Sequence, residues 1–409
     1  MQKIAIITSG FLPVPATKGG AVENLIVNLL EENEKNKKLN FEVISIFEQK
    51  AYDISKKYKK SSFKFIKINS IVEVLDKLIF WFAKKILKKN NSQSYRYIFQ
   101  RLYFLNKCSK ILNKNNYDKV LLENHPTQYL SLKWRRNYKK YDGRYYYHCH
   151  NEFPGTYGCQ DVIAKTKTII CVSKFIVNNT SNFVGMPINK FTVLRNCIDT
   201  SRFSNSISDE EKESLRKKYN INKDDKILLF TGRITKEKGV KELIESLKNV
   251  KYEKYKLLIL GSALNELTAK TRYQEEIEEE VKLISDKVIF TGFIKYDDIN
   301  KFYSLADIAV LPSIWNDPAP LTIIEALVSG LPIITTNSGG IPEYATNGSA
   351  IILNKDENIV KELSKNIDSL LNDDEKLRKM SQIARNVSVD LTLENYYENF
   401  YKIMVENND

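Results

Sequence analysis

Short apolar runs separated by helix-length segments recur along this chain, and that alternation restricts the fold to parallel sheets covered by helices. The runs begin with KIAIITS at 3–9 and FEVISIF at 41–47, with a helix expected from Ala21 between them. Further strands are predicted at Lys119–Leu122, Arg144–Cys149, Thr168–Val172 and Thr192–Leu194. A polar stretch from Ser204 to Asp225 interrupts the pattern, and in it Ser208 and Glu211 suit a capping box for a short surface helix. The alternation then restarts with KILLFT (226–231), KLLILG (256–261), KVIFTG (287–292), DIAVLP (307–312), PIITT (332–336) and AIILN (350–354). At 409 residues the chain can bury two separate cores. The expectation is α/β: two doubly wound, Rossmann-like domains, 1–196 and 197–390, facing each other across a cleft. An aromatic-rich helix in 391–409 is expected to pack back across their junction, because its apolar groups are costly to leave in water.

Composition narrows the setting. The chain opens directly on a core strand, with neither the charged leader nor the long apolar stretch of a secretion signal. Its longest apolar stretch, Leu78 to Ala83, is far below the roughly 18 residues that span a bilayer. Five cysteines without a CxxC pair suggest neither a disulfide framework nor a thiolate zinc site, so a reducing cytoplasm is expected. The net charge of +13 is unevenly placed, with ten Lys/Arg and no carboxylate between Asp76 and Asp118. Val72, Leu75, Ile79, Phe82 and Ile86, with Trp81 beside them, make an amphipathic stripe there. One reading docks this helix on its own domain with solvated lysines; another sets residues 71–114 against an anionic membrane surface. Nucleic acid is the weakest reading, since no nucleic-acid module accompanies the charge.

The stretch DPAPLTIIEALVSGLPIITTNSGGIPE at 317–343 carries the most chemistry. A loop with two prolines enters a helix near Leu321 or Thr322, whose free N–H groups and dipole favour an anion. Glu325, one turn in, can reach the ribose hydroxyls of a nucleotide or close a capping box with Thr322. TGRITKEKGV at 231–240 follows the second domain's first strand and offers Arg233 and Lys238 to a pyrophosphate. KGGAVENLIVNLL at 18–30 is a glycine loop entering a helix, with Gly19 and Gly20 permitting close approach of backbone to ligand. In HCHN at 148–151, period two sends His148 and His150 to one face. With His125 they would form a three-histidine metal site; without it, His148 is a satisfied core histidine.

These motifs, in this order, resemble the donor domain of family 4 retaining glycosyltransferases of the GT-B fold (glycosyl transferases group 1), over most of 226–390. The signature of two acidic residues separated by seven falls on Asp317 and Glu325, and Gly339, Gly340, Ile341, Pro342 and Glu343 match its sequel. The resemblance implies that Glu325 binds the donor ribose, Asp317 contacts the donor sugar, and Arg233 and Lys238 hold the pyrophosphate. It also sets Gly19 and Gly20 against the donor, and His150 with Asn151 near the transferred sugar. VSKFI (172–176) and LRNCID (194–199), with Asn196, match the stretch before the hinge. Asp317 is one methylene shorter than the family's usual glutamate, and Pro320 replaces a common glycine. The implied activity is transfer of a sugar from a nucleotide-sugar to a glycan or lipid-linked acceptor with retention, needing neither metal nor cofactor. Alternatives on the same architecture are a sugar-nucleotide epimerase, a phosphorylase, and a non-catalytic nucleotide-sugar or membrane-surface binding protein.

Overall fold

The computed structural model describes residues 1–85, 97–204, 206–261, 272–346 and 348–406. The chain divides into two units, Met1–Arg195 together with Tyr396–Asp409, and Asn196–Asn395.

The first unit is built on a parallel sheet of seven strands: β1 (Lys3–Ile7), β2 (Asn40–Ile46), β3 (Ser61–Ile66), β4 (Lys119–Glu123), β5 (Tyr145–Cys149), β6 (Thr168–Cys171) and β7 (Phe191–Val193). Their order is β3-β2-β1-β4-β5-β6-β7. Every residue of β4 and β5 is buried, as expected for central strands covered on both faces. β3 was not among the expected strands. Its sequence, SSFKFI, alternates Phe63 and Phe65 with Lys64, the period-two pattern of an edge strand, but it has no apolar run.

The second unit carries six parallel strands: β8 (Lys226–Thr231), β9 (Tyr255–Leu260), β10 (Val288–Gly292), β11 (Ile308–Leu311), β12 (Ile333–Thr336) and β13 (Ala350–Leu353), in the order β10-β9-β8-β11-β12-β13. Both sheets reverse direction of winding once, at β1/β4 and at β8/β11. Loops leaving the carboxyl ends of strands at such a switch point diverge and leave room for ligand.

The helix Ser70–Lys85 departs from the expected stripe. Asp76 is buried, and its carboxylate accepts from the backbone N–H groups of Phe99 and Gln100, 2.9 Å each, at the start of the helix Ile98–Lys114. This cap draws the Asp76 side inward, with Val72 and Ile79 half-buried on it. Leu75 and Phe82, two members of that stripe, are exposed with Ile71, Val74, Leu78 and Trp81. Ile86 lies outside the described residues. Among those residues no helix is long and apolar enough to cross a membrane.

At the other end of the chain, Tyr396, Tyr397, Phe400, Ile403 and Met404 are buried. The Tyr397 hydroxyl donates to Asn33 Oδ1 at 2.7 Å, and the buried Lys119 ammonium donates to the Met404 carbonyl. These residues complete the first unit's core.

Candidate active site

In the second unit the helix Leu321–Val328 begins after Pro320, with no side chain capping its N-terminus. Ile323 N–H bonds back to Pro320 O, 3.2 Å away. Glu325, one turn in, does not turn back to Thr322. Its Oε2 accepts from the Tyr303 hydroxyl at 2.8 Å, and Tyr296 also hydrogen-bonds it. The Tyr303 hydroxyl lies 2.7 Å from Thr231 Oγ1, at the carboxyl end of β8. Burial pushes the Glu325 carboxyl up to about 7, against the lowering effect of the two phenols. No cation is among its partners, so near neutrality it exchanges a proton easily and can present either an acceptor or a donor.

Lys238 and Asp317 meet directly, Nζ to Oδ2 at 2.5 Å, both largely shielded from solvent. With Thr231, Ser313, Pro320 and Thr322 they line a narrow crevice beside the free helix N-terminus. The loop bearing Asp317 is held by the glycine pair. Gly340 N–H donates to Asp317 O at 2.8 Å, and a Cβ on Gly339, whose φ is +59°, would lie 2.3 Å from that oxygen. Arg233 is exposed and acts electrostatically on Glu237 rather than joining the Lys238–Asp317 pair. Leu321 and Thr322 are half-buried in the first turn of the helix. Asn196, by contrast, is an internal brace: its N–H donates to the Tyr344 hydroxyl and its amide to Ala319 O.

In the first unit, Gly20 caps the helix Ala21–Asn36 at φ 105°, where a Cβ would sit 2.2 Å from Glu23 Oε2. Gly19 has open space around it. Glu23 is buried against Ser9, whose hydroxyl donates to it at 2.7 Å, and burial raises its pKa.

At the ends of β4 and β5, both imidazoles bind Glu123: His150 Nε2 lies 3.1 Å from Oε2 and His148 Nδ1 3.2 Å from the same oxygen. All three are buried. Burial alone would raise the Glu123 carboxyl, but the two imidazoles hold it down at about 2. Burial keeps His150 neutral, its pKa lowered to about 4. One ligand atom from each of the three lies within 4.8 Å of the others, so among the described residues this is the group that could hold a metal ion. The separations are those of carboxylate–imidazole hydrogen bonds, and His148 Nε2 is buried with no hydrogen-bond partner among the described residues. His125 is not part of the cluster, so the three-histidine arrangement does not form. Its Nδ1 accepts from Thr127 N–H at 3.3 Å in the turn after β4.

Some of these residues carried little sequence signal. Glu123 ends the all-buried strand KVLLE, where a carboxylate needs a partner. Tyr296 and Tyr303 reach Glu325 from another helix, and no local pattern announces them.

Two doubly wound α/β units, each with its polar residues gathered at the carboxyl edge of the sheet, define the GT-B class. Residues 211–387 match the profile described as glycosyl transferases group 1. An uncharacterized glycosyltransferase of Methanocaldococcus jannaschii is 31% identical over 43% of this chain and 43% of its own length. Spore coat protein SA of Bacillus subtilis is 26% identical over 67% of this chain and 74% of its own. The chain thus spans less than half of the first of these curated relatives. Among solved structures, HepE of Anabaena in complex with UDP and glucose superposes with a TM-score of 0.72 at 16% identity, covering 99% of each chain. That likeness is one of fold.

Proposed function

We propose that this chain is a glycosyltransferase that moves a hexosyl group from a nucleotide-sugar to an acceptor, with retention and without a resident metal. The observation that carries the reading is Glu325: a buried carboxylate with no cationic partner, one turn inside a helix whose N-terminus is free, in the segment that matches group 1 glycosyltransferases. Such a carboxylate suits the ribose hydroxyls, and the helix N-terminus with Lys238 suits the diphosphate. UDP and glucose in the Anabaena protein support a nucleotide-sugar as the donor. In the reaction the bond from the anomeric carbon to the diphosphate oxygen breaks while that carbon bonds to the acceptor oxygen. The acceptor's proton passes to the departing phosphate. Lys238, Arg233 and the helix N-terminus stabilise the anion as it leaves, the work a metal would otherwise do. Asp317 orients the donor sugar once Lys238 turns to phosphate.

The test incubates the protein with UDP-, GDP- and ADP-sugars and follows release of free nucleoside diphosphate, with and without EDTA. Release unaffected by EDTA is expected. Loss of activity in EDTA, restored by a divalent ion, overturns the metal-free part and turns attention to Glu123, His148 and His150. The configuration of the product, read by NMR, decides retention.

For the acceptor, the reading is a lipid-linked or polysaccharide precursor met at the anionic inner face of a membrane, through residues 71–114. Exposed Ile71, Val74, Leu78, Trp81 and Phe82, with Lys77 and Lys85 beside them, support it. Lys88, Lys89 and Arg96, which share the basic run, lie outside the described residues. Leu78→Asp with Trp81→Asp should abolish co-sedimentation with anionic vesicles. Equal sedimentation of parent and variant leaves the helix as a solvated face.

A further inference from the structure

Arg101 stands at the carboxyl edge of the first unit's sheet with more charge than its neighbours satisfy. It belongs to the helix Ile98–Lys114, in the apolar context IFQRLYFL. Its Nε donates to Thr127 Oγ1, and its Nη1 to Ser9 O at 3.2 Å. Nη2 is buried and has no hydrogen-bond partner among the described residues. Burial lowers the guanidinium to about 10, and the groups that act on it electrostatically are the phenols of Tyr147 and Tyr157. Neither its own helix nor the segment before it can supply a carboxylate, since residues 77–117 contain no Asp or Glu. A desolvated cation without a counter-charge costs stability, and sites that retain one have a use for it.

The surroundings indicate the use. Phe11, about half exposed, lies with its ring centroid 4.3 Å from the guanidinium carbon. Tyr157, also about half exposed, packs its ring 5.4 Å from that of His125. His125 is itself kept neutral, lowered to about 4 first by burial and then by Arg101. The guanidinium is therefore clamped through two of its nitrogens, with the third unmatched, against the Phe11 ring, and both Phe11 and Tyr157 carry aromatic faces that reach solvent. A fork of donors fixed in this way suits the paired oxygens of a phosphate or carboxylate, and the aromatic faces suit the apolar face of an attached sugar or chain.

We propose that Arg101 binds an oxyanion, phosphate or carboxylate, carried by the acceptor substrate. The assignment rests on the glycosyl-transfer reading, in which the second unit holds the donor, and it makes the acceptor an anionic molecule. Thr127 and the Ser9 carbonyl act as positioning groups that fix the guanidinium plane.

The test titrates the full-length protein and its Arg101→Gln and Arg101→Lys variants with glycerol 3-phosphate, with succinate, and with UDP and then GDP. Calorimetry reads binding, and circular dichroism checks that each variant is folded. The parent is expected to bind at least one of the two small oxyanions, Arg101→Gln to bind it at least tenfold more weakly, and Arg101→Lys to fall between. The nucleoside diphosphate should bind all three proteins within twofold. Equal oxyanion binding by parent and Arg101→Gln overturns the proposal, as does failure of the parent to bind either oxyanion. Equal loss of oxyanion and nucleotide binding also overturns it and gives the arginine to the donor diphosphate. If Arg101→Gln does not fold, Arg101→Lys decides, because a point charge in place of the fork should weaken binding severalfold and an unchanged affinity overturns the proposal. Absence of nucleotide binding in all three proteins sinks the donor reading by itself, whatever the oxyanion titration gives, so the two failures are distinguishable.

Discussion

Glu123 in the first unit and Glu325 in the second are buried to nearly the same degree, 2% and 4% exposed, at the carboxyl edges of their sheets. Their surroundings drive them apart. Two imidazoles hold Glu123 down to about 2, whereas Glu325 has only phenols for partners and rises to about 7. Burial is common to both, so the difference lies in the partners. A carboxylate closed in by two N–H donors is a fixture, whereas one left near neutrality with weak donors can rearrange its bonds for a ligand.

The largest expected effect that sharpens this contrast is on stability. Glu123→Gln takes the ionised acceptor from two buried imidazoles and should destabilise the first unit by about 3 kcal/mol, read by denaturant unfolding. A cost below about 1 kcal/mol would mean that the cluster is looser than its geometry. Glu325→Ala should instead spare the fold and lower donor affinity and turnover about a hundredfold, some 2.7 kcal/mol. Normal donor binding in a merely less stable variant would make Glu325 structural, like Glu123.

The two units should also answer acid oppositely. His150, lowered from 6.5 to about 4, leaves the unfolded chain to take up the proton first. Its contribution is complete above 6.5 and is lost as pH falls toward 4, about 2 kcal/mol by pH 5. Glu123 adds a further loss between 4.5 and about 2. Glu325, raised from 4.5 to about 7, binds its proton more tightly when folded, so its contribution is complete below 4.5 and declines as pH rises toward 7. Hydrogen exchange resolved by segment, at pH 5 and pH 7, should show the first unit loosening in acid while the second holds. Parallel loss in both would break the contrast. A smaller effect is that of Lys238→Ala, which should lower turnover about tenfold, or some 1.4 kcal/mol. Arg233→Ala should cost less, since Arg233 stands apart from the Lys238–Asp317 pair.

The strand alternation was legible because buried parallel strands are written as continuous apolar runs, and every strand so expected is present within a few residues. β3 escaped because an edge strand needs only one apolar face. The helix Ser70–Lys85 was legible as a helix, but its orientation was not, because the buried Asp76 is tied to a helix that starts more than twenty residues later. Around the site, motif spacing placed the loop at 317 and the helix after it. The phenols on Glu325, the imidazoles on Glu123 and the unmatched nitrogen of Arg101 all depend on residues distant in sequence. Only Arg101 left a local trace, a lone cation in an apolar helical run.

The division of the chain sets an order of assembly. The second unit is continuous from Asn196 to Asn395, whereas the first is closed by Tyr396 onward. During synthesis the second unit's sequence is complete while the first still lacks Tyr397, Phe400 and Met404, all fully buried in the finished protein. Domains that fold as the chain emerges usually finish from the N-terminus onward. Here the earlier-made sheet must wait, with its slot for three large side chains open, until the later-made one has been synthesised.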